Sequence, residues 1–260
     1  MEATCGHRGG RHRGPGVRPM NPAPMPVQAR GPGPSPKRSA LRVITALLWA
    51  LVLVGLALLV LLLSVPACAA ERPVQVPAVA TVYRLKVERE AAANFGLQAP
   101  AARLAAQIHQ ESAWNPKAAS AYAHGLTQFT PATANWLPSI CPAVGKPDAW
   151  DPDWSLRAQA CYMAWLYGRV QPFKGAPSMT ACTRWNFALR GYNGGEGWLN
   201  KERTASLRAG ANPNDWRQVE QHRVRAGWAH RENVGYPRRI LLVLEPAYLA
   251  AGWSGQAVCA

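Results

Sequence analysis

The chain has 260 residues and a formal net charge of +15, from 29 Lys and Arg against 14 Asp and Glu. That length holds one sizeable domain with appendages. The charge calls for an anionic partner. No zinc-finger spacing, basic heptad helix or aromatic sheet signature accompanies it, so the sequence offers no nucleic-acid module, and anionic lipid or a wall polymer remain.

Residues 1–42 are dense in Gly, Pro and Arg, and Glu2 is their one acid. Such a segment buries too little apolar surface to offset its ordering entropy, and it reads as a disordered basic cytoplasmic tail. Residues 43–65 carry no charge. They are long enough to span a hydrocarbon layer of about 30 Å, and longer than the roughly 7–15 apolar residues of a signal peptide. Arg38 and Arg42 precede the run, while Glu71 and Arg72 nearly balance each other beyond it. The positive-inside bias makes this a transmembrane signal-anchor in the inner membrane, with the C-terminal part in the periplasm. Ala67-Cys68-Ala69 resembles a small-residue cleavage site, so a cleaved and secreted form stays open. Lipidation at Cys68 fits less well, because Pro66 is unusual there. Residues 66–87 read as a linker and 88–260 as the folded domain.

Helical periodicity begins near Val82 and stops at Gly96. Pro100 suits the first turn of the next helix, which Asn115-Pro116 ends by forcing the residue before proline out of helical space. Further helices are expected over 131–137, 156–170, 180–190, 215–226 and 238–251, with Asp153 as a cap before Trp154. No strand alternation is sustained and no repeat appears, so the exported domain is predicted to be mainly α-helical. Its four cysteines, Cys141, Cys161, Cys182 and Cys259, permit two disulfides in any of three pairings, or are simply small buried residues. None has zinc-ligand spacing, and no metal is expected.

On the second of these helices Leu104, Ile108 and Glu111 follow i, i+4 and i+7 and share one stripe. A carboxylate on an apolar stripe is out of place unless it faces a cleft. Burial and the negative helix end both disfavour its charge and raise its pKa, as a general acid requires. The bland alternative is a solvated glutamate at a frayed helix end.

The surrounding residues decide between them. Glu111-Ser112, Asn115-Pro116, Ser120, Gly125-Leu126-Thr127-Gln128 and Gly191-Tyr192-Asn193-Gly194-Gly195 together resemble the lytic transglycosylases with a lysozyme-like, goose-type-lysozyme-related fold. The resemblance runs over residues 101–200. It implies that Glu111 is the acid/base and that Tyr192 brings its hydroxyl near that carboxylate. Asn193 would contribute hydrogen bonds there, Ser112 would fix the local turn, and Gln128 would line the sugar groove. Thr127 replaces the family's usual methionine and is expected to make one groove wall more polar. The loop from Ser120 to Gly125 is one residue short of the family pattern and carries Tyr122 and His124. Trp114 and Trp198, close to the motifs, are the two tryptophans expected to contact glycan, along with Ser112, Gln128 and Asn193 as substrate-binding residues.

The implied chemistry cleaves the bond between N-acetylmuramic acid and N-acetylglucosamine of peptidoglycan with one carboxylate and no cofactor, closing a 1,6-anhydro ring. Two alternatives stay open. One is a goose-type-lysozyme-like hydrolase using Asp148 or Glu196 as the second carboxylate. The other is a non-catalytic, membrane-anchored wall-binding protein. Host wall turnover, a secretion or conjugation apparatus and a phage lysis system all accommodate such an enzyme.

Overall fold

The computed structural model describes residues 44–45, 47–56 and 74–259. The expected tail (1–42), much of the linker and part of the 43–65 anchor lie outside the described residues. The described part of the anchor is helical and exposed. No helix among the described residues is long and apolar enough to cross a membrane. The chain divides after Ala70, and the second unit, Glu71–Ala260, holds most of the described structure.

That unit is helical, as expected. Helices α1 (Ala80–Phe95), α2 (Ala101–Ser112), α3 (Pro131–Trp136), α4 (Pro152–Arg169), α5 (Ala181–Gly194), α6 (Glu196–Arg208), α7 (Trp216–Val219), α8 (Gly227–Arg239) and α9 (Glu245–Ala250) follow in order, with a π-helical segment, Ile240–Leu244, joining α8 to α9. The described residues contain no strand, only isolated antiparallel bridges pairing His124 with Ala119 and Phe129.

Helix α2 is the axis of the fold. Its first eight residues, Ala101 to Ile108, are all buried. Four alanines among them favour the helix and let neighbours approach closely. Helix α1, the π-helical segment and α9 pack around it. Two polar residues in this run are compensated. Arg103 pairs with Glu245 at 2.6 Å and donates to the Gln256 carbonyl, and Gln107 enters the chain of bonds described below.

Four expectations are corrected. The linker is shorter than 66–87, because α1 starts at Ala80, which is fully buried with Val87 and Ala91. Asp151, not Asp153, caps α4: its carboxylate accepts from the Asp153 amide at 3.0 Å, while Asp153 pairs with Lys86. The helix expected over 215–226 is one turn, Trp216–Val219. There the Glu220 carbonyl bonds to His230 Nε2 and the Glu220 carboxylate to Arg238, which pulls the chain out of helical register. Helices α6 and α8 are additional. Gly227, Gly235 and Pro237 look like breakers in sequence. Pro237 lies inside α8, and a π-helical segment follows just beyond it.

Two apolar clusters result. The larger centres on α2, α5 and the C-terminal helices. A satellite gathers Phe129, Leu137, Cys141, Val144 and Trp154 beneath the 118–150 loops. Tyr162 and Tyr192 pack against both clusters, so the seam between them is where side chains from distant elements meet. Of the three permitted cysteine pairings the structure forms Cys141–Cys161 and Cys182–Cys259, separated by 20 and 77 residues. Chain-entropy arguments assign such loops about 3 and about 4–5 kcal/mol. Reduction is therefore expected to lower the melting temperature, and Cys182→Ser/Cys259→Ser to lower it more than Cys141→Ser/Cys161→Ser. Thermal unfolding of the two double variants checks the order.

Candidate active site

The site is built from the end of α2. Ser112 Oγ donates to the Leu126 carbonyl at 2.8 Å and to Ile108 at 3.3 Å, which ties the helix end to the following loop. Ser112 does not line the cleft, so it fixes the turn, and its expected contact with substrate is corrected. Ala113 and Trp114 then take left-handed φ values of 49° and 67°, a costly reversal for non-glycine residues. It carries Trp114 into the core. This tryptophan is 1% exposed, its indole N–H donates to Tyr248, and Tyr83 stacks on it at 5.8 Å. Trp114 therefore cannot contact glycan, contrary to expectation.

The shortened loop is cross-braced. The Gly125 amide donates to Ala118, and Gln128 Nε2 donates to the Ala118 and Gly125 carbonyls at 3.1 and 2.9 Å. Gly125 has φ +75°, and a Cβ there would lie 1.8 Å from the Ala149 carbonyl oxygen, so only glycine fits. Thr127 is fully buried and lies outside the cleft. The wall is not made more polar by its hydroxyl. Its contribution is its backbone carbonyl, which accepts from the Tyr192 hydroxyl at 2.7 Å.

These elements enclose a cleft of about 350 Å³ lined by Glu111, Gln128, Tyr162, Tyr192, Asn193 and Glu232, among others. A second hollow of about 460 Å³ continues from it, sharing Tyr122, Asn193 and Glu232 and adding Trp198, Arg225 and Trp228. Trp198 is 43% exposed there, in the groove where its glycan contact was expected. A larger cavity of about 870 Å³ lies apart from Glu111. Its acid, Glu88, is paired with Arg84.

Glu111 sits at the base of the cleft, and burial raises its carboxyl from the ordinary value to about 7, with the nearby Glu232 adding to the rise. Tyr236 opposes this by donating its hydroxyl to Glu111 Oε1, a bond that favours the charged form. Gln107 Nε2 donates to the Tyr236 oxygen at 3.1 Å, and Gln159 Nε2 donates to Gln107 Oε1 at 3.0 Å. A chain of oriented donors from α4 through α2 to α8 thus ends on the carboxylate. Tyr192 is near enough to feel the Glu111 charge, but its hydroxyl donates to Thr127 and not to Glu111. Asn193 Oδ1 accepts from Asn233 at 3.0 Å, which turns its amide nitrogen to other partners.

Of the residues singled out in the sequence, Glu111, Gln128, Tyr192 and Asn193 line one cleft, and Trp198 lines the neighbouring hollow. Sequence reasoning missed Tyr236, Glu232, Gln107 and Gln159. The available signal was Glu232 and Tyr236 at i and i+4, one face of a helix, hidden because Gly235 and Pro237 argued against that helix. Asp148 and Glu196 are engaged elsewhere. Asp148 accepts from the Trp150 and Asp151 amides, and Glu196 pairs with Arg169 at 3.0 Å.

The chain is similar to known proteins over part of its length. Over 119 residues the chain is 37% identical to membrane-bound lytic murein transglycosylase F of Alcanivorax borkumensis, covering 45% of this chain and 23% of the relative. Over 114 residues it is 38% identical to the protein of that name from Maricaulis maris, covering 44% and 22%. The chain thus spans less than a quarter of the length of these relatives. The fold is similar to that of the 70 kDa soluble lytic transglycosylase of Escherichia coli, with a TM-score of 0.50 at 22% identity, covering 68% of this chain and 26% of that one. Residues 87–213, just under half of the chain, match the family model described as "Transglycosylase SLT domain".

Proposed function

We propose that the protein is a lytic transglycosylase that cleaves the β-1,4 bond between N-acetylmuramic acid and N-acetylglucosamine, with Glu111 as its single acid and base. The observation that carries this reading is a buried carboxyl group, its pKa raised to about 7, at the base of a groove and on the end of an oriented chain of donors. Glu111 gives its proton to the glycosidic oxygen as the bond to the anomeric carbon breaks. The muramic N-acetyl oxygen stabilises the resulting cation. Glu111, now a carboxylate stabilised by Tyr236, takes the proton of the sugar's 6-hydroxyl. That oxygen closes on the anomeric carbon, the donated proton leaves on the 4-hydroxyl of the departing sugar, and the 6-hydroxyl proton regenerates the carboxyl group. Tyr192 and Asn193 hold the sugar against the carboxyl.

A second reading has a specific observation behind it. Glu232 lines the same cleft, and it is better placed than Asp148 or Glu196 to activate a water molecule in a hydrolase. Mass spectrometry of digested peptidoglycan separates the two. The expected products end in 1,6-anhydro-muramic acid, whereas reducing ends alone would establish the hydrolase. Residues 43–65 supply the single-pass anchor in this reading, placing the domain in the periplasm beside its polymer. The charge-free run and its basic N-terminal flank support that placement.

A further inference from the structure

A buried carboxylate outside the catalytic chain organises the far end of the groove. Glu202 of α6 is fully buried. It is paired with Arg190, with Arg225 at 3.1 Å and with His230 Nδ1 at 2.9 Å. Such a cluster fixes the Arg225 guanidinium at little further entropic cost, because Nε and Nη2 are both spent on Glu202. Nη1 is left beside Gly194, where an added Cβ would lie 2.6 Å from it. Asn233 Nδ2 would lie as close, at 2.5 Å, so the missing Cβ makes room for both side chains.

The hollow that Arg225 helps to line is built for more than a sugar ring. At about 460 Å³ it exceeds the catalytic cleft, and two exposed indoles, Trp198 and Trp228, form its apolar part. Lys201 Nζ lies 4.5 Å from the Trp198 ring centre. The guanidinium groups of Arg223 and Arg231 converge on Gly227, between the lining residues Ala226 and Trp228. Glu232 is the opposing charge, and it stands on the wall shared with the catalytic cleft. The field is therefore positive away from the acid and negative beside it.

We propose that this hollow binds a carboxylate of the peptide stem borne by the muramic residue, with Arg225 Nη1 as the anion contact and the two tryptophans against the stem's aliphatic part. The inference rests on peptidoglycan being the substrate. A lactyl carboxylate, exposed when the peptide is removed, lies against the sugar ring and does not fill a hollow of this size.

The test uses the full chain carrying Glu111→Gln, which binds strands without cutting them, and three soluble strand preparations. One keeps its peptides intact. One has the peptide carboxylates converted to amides. One has been stripped of peptide by an amidase. Affinity for intact strands is expected to exceed that for the amidated and stripped strands by about tenfold, and Arg225→Gln added to Glu111→Gln brings the ratios near one. Equal affinity for intact and amidated strands overturns the proposal. So does tightest binding to stripped strands, or an equal loss on all three from Arg225→Gln, which would make Arg225 only a structural partner of Glu202. Turnover of the same strands by the unsubstituted chain reports separately on the transglycosylase reading.

Discussion

Glu111→Gln is expected to lower turnover of peptidoglycan by about a thousandfold or more and, at the same time, to make the folded domain more stable in alkaline solution. Both follow from one geometry. Burial holds the carboxyl at about 7, against an ordinary value of 4.5. Each unit of that shift corresponds to about 1.4 kcal/mol, so ionising Glu111 in the folded state costs about 3 kcal/mol. The sign follows from proton binding. The folded chain holds this proton more tightly than the unfolded chain does, so stability falls as pH rises from about 4.5 through 7 and the full penalty is present above that. A neutral glutamine never incurs it. Thermal unfolding at pH 5 and pH 8 should show the variant gaining several degrees on the parent at pH 8 and little at pH 5. An equal difference at both values would mean that the carboxyl is not held protonated by burial. Turnover of the parent should fall as pH rises above about 7, where the proton to be donated is lost.

The buried carboxyl group was legible because the physical anomaly was local. Glu111 follows Leu104 and Ile108 on one helical stripe, and short-range stop signals mark the helix end. Gln128, Tyr192 and Asn193 were singled out through a family resemblance, and the helical class through periodicity and the lack of sustained strand alternation. What could not be read was the part of the site assembled by tertiary packing. Tyr236 lies 125 residues from Glu111, on a helix whose glycines and proline argue against its existence in sequence. A π-helical segment that no periodicity announces follows that helix.

Trp114 teaches the converse. Its position beside the motif suggested a sugar contact, but the left-handed turn at Ala113 and Trp114 rotates it inward. Adjacency in sequence to a candidate acid says little when the backbone reverses between them. Thr127 repeats the lesson. The side chain that replaces a family methionine is buried, and its carbonyl is what meets Tyr192.

Tyr236→Phe separates the two tyrosines of the cleft. The Tyr236 hydroxyl donates to Glu111 and accepts from Gln107, so its removal has two consequences. Gln107 Nε2 is left without that acceptor in a buried position, at a cost to stability of about 1–3 kcal/mol. Glu111 loses a donor that favoured its charged form, and its pKa moves further above 7. Proton donation to the leaving sugar then survives to higher pH. The carboxylate that must recover a proton from the 6-hydroxyl is less stabilised and no longer oriented. The expected outcome is a turnover roughly a hundredfold lower, with the alkaline limb of the pH profile displaced upward. Tyr192→Phe should behave differently. Its hydroxyl donates to the Thr127 carbonyl, so losing it loosens the cleft wall and lowers activity with a much smaller displacement of that limb. Initial rates of the two variants between pH 5 and 9 make the distinction, and matching displacements would mean that Tyr236 has no special hold on the acid.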